Sequence, residues 1–416
     1  MIWFPVRALQ TKAHKSVKLR YTPSASTIEL LRTFRDMVND AIRICLSEKI
    51  SGRLQLRNRI YKDFQKRYRL LTGYPYSVAE VAWSIVKKHQ KWGRKPIAKK
   101  LMMKMDVQNY SVNNRILSIP FRREEHVVIQ MEYGDYQEAF LANQELKRGS
   151  LTITESAAII AFSRIMTPLQ PLARVGIDLN EKSVVSSDGS KYDLSDVTRL
   201  RTEYASRRSA FDRENPNDRR LRSKFSGSRR ERERVKQVLH KTAKRIVESA
   251  KMNSKAIVLE QLRRIQQSHR RGNGEGKRRR RRFAVWPFRV LQDYIACKAA
   301  WDGVQVEYVN PAWTTKTCHE CSFVNRALSL TDREWRCPNC GVILDRDLNA
   351  AINIERRGTI ACLGEVRPGA QGTDETMRGN EATTAPILRA EAPKSTLRPS
   401  KGKPLDESLG AQNQWS

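Results

Sequence analysis

Apolar and charged positions alternate in "SVKLRY", where Val17, Leu19 and Tyr21 are separated by Lys18 and Arg20; this predicts a half-buried strand over 16–21 that Pro23 ends. The period then lengthens. In "SASTIELLRTFRDMVNDAIRICL", Leu30, Leu31, Phe34, Val38, Ile42 and Cys45 share one helical face, and Ser26 with Glu29 reads as a capping box. A second helix is expected over 54–71 and a third from Ser77, with Glu80 completing another box. Alternation returns in "NRILSIPFR", "EHVVIQMEY" and "GSLTITES", with turn residues Gly134, Asp135 and Gly149 between them. A strand-rich module is thus interrupted by helices and resumes.

From Arg174 the order becomes strand, hairpin with Asp188-Gly189 at its turn, long helix, strand, helix, strand. Val235, Val238, Leu239, Ala243, Ile246, Val247 and Ala250 supply the apolar face of the long helix, while "SKAIVLE" and "VQVEYV" supply later strands. Beyond Cys362 periodicity fades into Gly, Pro, Thr, Glu and Arg, a composition that cannot offset its ordering entropy, so a disordered tail is expected.

Charge narrows the function. Lys and Arg number 78 against 44 acidic residues, a net charge of +34 that calls for a polyanionic partner, with nucleic acid the first choice. No apolar run of about 18 residues exists to cross a bilayer, and the charged start lacks a signal-peptide core, so a soluble, intracellular protein without a membrane partner is expected. Basic clusters fall at 87–100, where Trp83 and Trp92 accompany the charges, and at 277–282. The tryptophans fit core packing as well as base stacking.

Four of the seven cysteines form Cys318-x-x-Cys321 and Cys337-x-x-Cys340, two thiolate pairs spaced to close a tetrahedral Zn2+ site. Four thiolates leave no open coordination position, so the zinc is structural, and His319 then points outward. Chemistry falls to carboxylates. Alternation leaves Asp178 on the strand face opposite Val175, Ile177 and Leu179, and Glu260 opposite Ile257 and Leu259. On adjacent strands, about 4.8 Å apart, two such acids could share hard divalent cations. Asp347, opening a helix beside the sheet, could complete a two-metal site for phosphodiester cleavage. Asp188, Asp193 and Asp345 read as a hairpin turn, a loop residue and a helix cap or supporting residue. Ala350 and Ala351 permit close approach of that helix to a sheet, and Asn349 and Asn353 share one of its faces.

The order "GIDLNEK", "IVLEQL", "TTKTCHEC", "CPNCG" and "DRDLNAAINI", spanning 174–357, resembles TnpB, the RNA-guided nuclease family of insertion sequences related to type V CRISPR effector nucleases. The resemblance implies a multidomain α+β protein. A strand-rich wedge domain (1–22 and 106–170) carries a helical recognition domain (23–105). An RNase H-like (RuvC) α/β nuclease domain (171–310 and 345–361) follows, with a zinc-ribbon insertion (311–344) and the tail (362–416). It further implies a catalytic triad of Asp178, Glu260 and Asp347 holding Mg2+ or Mn2+, structural Zn2+ on Cys318, Cys321, Cys337 and Cys340, and a guide RNA. The partner is double-stranded target DNA, cut beside a short flanking motif by one protein copy per RNA in the prokaryotic cytoplasm, at the nucleoid. Two departures stand out: Ser322 replaces a common Gly after the first cysteine pair, and "NEKSVVSSDG" is an unusual continuation after the first acid. An unguided structure-selective RuvC-like nuclease and a non-cleaving nucleic-acid-binding regulator remain the alternatives.

Overall fold

The computed structural model describes residues 11–68, 73–90, 96–122, 125–216, 218, 227–262, 286–329 and 332–363. The first strand is longer than its alternating core predicts: β1 runs Thr11–Tyr21. Helix α1 (Ala25–Ser47) starts earlier than the Ser26 box implies, because Ser24 is the cap and its hydroxyl accepts from the Thr27 N–H at 3.2 Å. Glu29, freed from any capping role, instead meets Arg122 at 3.3 Å. Helix α2 (Arg53–Tyr68) begins one residue before the expected 54–71 range, and the end of that range, 69–71, lies outside the described residues. Helix α3 (Gly73–Gln90) also begins ahead of its expected Ser77 cap, so Ser77 is an interior, buried helical residue and Glu80 pairs with Lys104 at 2.7 Å. Both expected boxes fail for one reason: a Ser-x-x-Glu spacing also occurs inside a helix.

The strands β2 (Met102–Met105), β3 (Ser111–Asn113), β4 (Ile116–Arg122), β5 (Glu125–Glu132), β6 (Lys147–Thr154) and β7 (Ala157–Met166) join β1 in an antiparallel sheet ordered β2-β6-β7-β1-β5-β4-β3. Sequence periodicity missed β7, which pairs with β1 from Ala157 to Met166. Its "AAIIAFSRIM" is apolar at consecutive positions and largely buried, so no alternation marks it. It also missed β2, a strand inside the stretch expected to be helical, and the short helix α4 (Asp135–Ala142). Leu19, Leu31, Phe34, Leu56, Ile60, Val78, Met103 and Phe162 belong to a single core, so helices and sheet stabilise each other rather than folding as separate hydrophobic units. Trp83 packs half-buried against this core, the packing reading of its two. Trp92, the 277–282 run and residues beyond 363 lie outside the described residues. The first part of the expected tail is attached, since the Leu363 N–H donates to the Pro171 carbonyl at 2.8 Å.

The second sheet contains β8 (Ala173–Leu179), β9 (Ser183–Ser186), β10 (Lys191–Asp193), β11 (Lys255–Glu260) and β12 (Val306–Val309) in the order β10-β9-β8-β11-β12. The first three are an antiparallel meander; β11 and β12 then add parallel to β8. This is the RNase H-like α/β arrangement expected for the C-terminal half. Val175, Ile177, Ile257 and Leu259 face helices α5 (Ser195–Glu214), α6 (Gly227–Met252) and α7 (Phe288–Asp302), packing with Leu200, Leu239, Ile246, Leu291 and Ile295. Val258 faces the other way, with Val309 and Ile354 of α8 (Arg346–Arg356). Helix α7 serves both cores, because its Trp301 is buried with the first sheet.

Gly176 decides how close α8 comes. A Cβ there would overlap the Ala351 carbonyl and the backbone of Glu355, so only glycine lets the helix lie on β8. Ala350 and Ala351, both buried, complete the approach. Gly176→Ala is therefore expected to cost about 1–3 kcal/mol by overpacking, read as a lower Tm, and to lower any activity that depends on where α8 sits.

Candidate functional site

Parallel pairing of β8 with β11 in the register Ile177 to Leu259 brings the next residues, Asp178 and Glu260, to the same edge of adjacent strands. The third acid arrives from α8, which packs on the same face of the sheet as Asp178 and Glu260, the face of Gly176 and Val258. Asp345 caps α8, its carboxylate accepting from the Leu348 N–H at 2.8 Å, and this cap places Asp347 in the first helical turn. All three carboxylates converge electrostatically at Asp178. Asp178 is buried, and its carboxyl is pushed up to about 8 by burial first and the Glu260 charge next, with Asp347 adding to the shift against a hydrogen bond from Asn180. Burial also raises Glu260, opposed by the Thr314 hydroxyl and Arg357. Among the described residues, each acid has a polar side-chain partner: Asn180 on Asp178 at 2.7 Å, Thr314 on Glu260 at 2.6 Å, and Arg333 on Asp347 at 3.5 Å. Asp178 is buried and Glu260 and Asp347 are partly buried, carboxylate oxygens of the chemical type that Mg2+ or Mn2+ takes.

The four cysteines form a separate cluster. Their sulfurs lie within 4.8 Å of one another, with Cys318 to Cys340 at 3.7 Å and Cys321 to Cys337 at 3.5 Å. A tetrahedron of bonds of about 2.3 Å requires edges of about 3.8 Å, so the set fits Zn2+. Within the cluster the Asn339 side chain and the Phe323 N–H lower the Cys321 thiol, while the Cys318 and Cys340 thiols are raised. Each pair closes a matching turn: the Ser322 N–H donates to Cys318 O and the Gly341 N–H to Cys337 O, both at 2.9 Å. Gly341 and Ser322 both take positive φ, +75° and +62°, so the serine departure puts a side chain where glycine is favoured without removing a ligand. Around the cysteines, Leu328, Trp335 and Leu344 form a small core, and β13 (Glu334–Arg336) pairs with β14 (Ile343–Asp345), the strand that ends at the α8 cap.

A chain of hydrogen bonds joins the cysteine cluster to the acids. Asn349, almost fully buried, accepts from the His319 N–H at 2.9 Å and donates to Thr317 O at 2.8 Å. Asn353 donates to Thr317 O at 2.6 Å and Thr314 O at 2.9 Å, and the Thr314 hydroxyl holds Glu260. His319 is turned away from the thiols as expected, but its ring Nδ1 lies 3.0 Å from Asn349 Oδ1 instead of facing solvent. Sequence reasoning put Asn349 and Asn353 on one face without giving them a task, and it missed Asn180, Thr314 and Arg333. Thr314 and Arg333 have partners distant in the chain, so no local spacing marks them, whereas Asn180 lies two residues from Asp178 and was legible in "GIDLN". Asp188 and Asp345 take the local roles expected, Asp188 accepting from the Ser190 N–H at 3.1 Å and Asp345 capping α8, whereas Asp193, expected in a loop, ends β10 and accepts from the Ser195 N–H at 2.9 Å.

Residues 288–354 match the family model described as Cas12f1-like, TNB domain, a segment that includes all four cysteines and Asp347. A CRISPR-associated endodeoxyribonuclease Cas12f1 from an uncultured archaeon is 26% identical over 244 residues, 53% of this chain and 45% of that protein. In a solved Cas12f1-sgRNA-target DNA complex, a chain at 14% identity superposes with a TM-score of 0.60 over 83% of this chain and 99% of its own length, a likeness of fold. A TnpB-like protein of Methanocaldococcus jannaschii is 30% identical over 247 residues, 56% of this chain and 86% of that protein. With that much of a 30% identical relative spanned, the chain belongs to the TnpB-like family.

Proposed function

We propose that the protein is an RNA-guided DNA endonuclease that hydrolyses double-stranded DNA beside a short flanking motif, with Asp178, Glu260 and Asp347 as its catalytic carboxylates. The observation that carries this reading is the convergence of those acids from β8, β11 and α8, which leaves Asp178 repelled by both others. A net charge of +34 supports polyanionic partners, a guide RNA and its DNA target. The Cas12f1 relative is named an endodeoxyribonuclease, and the solved Cas12f1 complex contains sgRNA and target DNA.

The acids are assigned Mg2+ or Mn2+. Asp178, Glu260 and Asp347 would hold the cations, which would supply an activated water and stabilise charge at phosphorus. Asp178 and Glu260 sit on strands fixed by their parallel register, so their separation is preset. Asp347 rides on α8, whose position Gly176 and the Asn349 and Asn353 hydrogen bonds determine. Arg333, largely exposed beside Asp347, would be available to pair with a phosphate oxygen. The four cysteines are assigned structural Zn2+.

The wedge (1–22 and 106–170) and helical recognition (23–105) domains would hold RNA and the flanking motif, the RuvC-like segments (171–310 and 345–361) would cut, and the ribbon (311–344) would brace the third acid. In this reading the protein, encoded by a transposable element, acts in the cytoplasm at the nucleoid, one copy per RNA. No helix among the described residues is long and apolar enough to cross a membrane.

Sequencing the nucleic acid that co-purifies is expected to give a discrete RNA ending in a variable segment. Protein reloaded with that RNA is expected to cut a matching duplex with Mg2+, whereas RNA-free protein should not. Equal cutting without RNA would favour the unguided nuclease, and guided binding with no scission would favour the regulator.

A further inference from the structure

Trp313 is unlike the other described tryptophans. Trp286, Trp301 and Trp335 are no more than 9% exposed and Trp83 is half-buried, whereas Trp313 is 54% exposed. Its backbone is left-handed, at φ +66°, a conformation a bulky residue adopts at a cost of about 1 kcal/mol or more. The Trp313 carbonyl holds that turn by accepting from the Lys316 N–H at 3.0 Å, the Thr317 N–H at 2.9 Å and the Thr317 hydroxyl at 2.8 Å. The adjacent residue turns the other way, since Thr314 is buried with its hydroxyl on Glu260. The strained turn therefore separates an inward hydroxyl on a carboxylate from an outward indole.

The indole lines a cavity of about 450 Å³ together with Thr315, Lys316, Leu328, Ser329 and Arg346. The cavity adjoins the acids. Arg346 precedes Asp347, and its positive charge is felt at Asp178. An aromatic wall with two cations, beside acids suited to phosphate chemistry, matches a nucleotide whose base is unpaired: the ring face stacks and the phosphates meet Lys316 and Arg346. A base inside a duplex is stacked on both faces and has none free. We infer that Trp313 is a stacking platform for an unpaired nucleobase of the strand held at the carboxylates. This rests on the nuclease reading above.

The test compares an oligodeoxythymidylate of about ten nucleotides with an abasic oligomer of equal length and charge. The probes are bound to the full chain carrying Asp178→Ala and followed by fluorescence anisotropy at one salt concentration. Equal charge cancels nonspecific attraction, leaving the base contribution. The thymidylate is expected to bind about 5- to 100-fold more tightly than the abasic oligomer. Trp313→Gly, which removes the ring and suits the positive φ, is expected to collapse that ratio towards one with an unchanged melting profile. Trp313→Phe should keep most of it. A ratio that persists in Trp313→Gly, or no preference in the parent, overturns the platform. Guided cleavage of duplex DNA by the chain with Asp178 intact is measured separately. If a Trp313-dependent preference appears without guided cutting, the platform stands and the guided reading falls.

Discussion

Replacing Asp178 by Ala is expected to lower Mg2+-dependent DNA cleavage by about a thousand-fold or more, with RNA binding preserved. The expectation follows from Asp178 being the carboxylate on which the other two charges converge. Undiminished cutting by that variant would remove the assignment. The pH dependence of stability supplies a second measurement. Asp178 releases its proton near the usual carboxylate range when unfolded, but only near 8 when folded. Below both values the group is protonated in each state and contributes nothing. As pH rises between them the unfolded chain loses the proton first, so folding loses stability, at most about 1.4 kcal/mol per pH unit, until the folded carboxyl also ionises. Asp178→Asn is therefore expected to equal the parent near pH 4 and to melt at a higher temperature near pH 8 in Mg2+-free buffer. Adding Mg2+ should narrow the gap by stabilising the parent, since the cation replaces the proton. A variant that melts lower than the parent at pH 8 would contradict the unfavourable burial of this charge.

Loss of zinc is expected to suppress cleavage although no cysteine touches the acids. Cys337→Ser should release the metal and lower the cleavage rate by about a hundred-fold, the effect of shifting a reacting group by about 1 Å. The route is specific: the ribbon holds the backbone from Thr314 to His319, Asn349 and Asn353 clamp that backbone to α8, and α8 carries Asp347. Metal binding also stabilises the ribbon itself, so the variant alone cannot separate folding from positioning. Asn353→Ala makes that separation. It leaves all four thiols in place and should retain zinc by elemental analysis, yet lose cleavage and about 1–3 kcal/mol of stability by leaving the Thr314 and Thr317 carbonyls short of a donor. Full activity in both variants would show that Asp347 is positioned without the ribbon.

The chemistry was legible where local pattern and chemical identity coincide. Alternation put Asp178 and Glu260 on one face of their strands, and paired cysteines at close spacing marked a metal cluster. Asp345 and Asp347 could be assigned to a cap and a first helical turn for the same reason, since capping acts within a few residues. Local pattern misled where two structures share it. Ser26 and Ser77 had cap spacing, but Ser24 and a start at Gly73 set the helix ends; β7 is buried on both faces and has no alternation to find.

By itself the sequence determined the polycationic character, the thiol cluster, the α/β order of the C-terminal half and the choice of three candidate acids, because charge, ligand type and periodicity are properties of residues near one another in the chain. Only the tertiary structure decided that β8 and β11 pair in a register aligning Asp178 with Glu260, and that Gly176 admits α8 closely enough to bring Asp347. It also decided that Asn349 and Asn353 tie the thiol cluster to Thr314 and thus to Glu260. These contacts join distant segments, and their geometry comes from packing against two faces of one sheet, which no local period encodes.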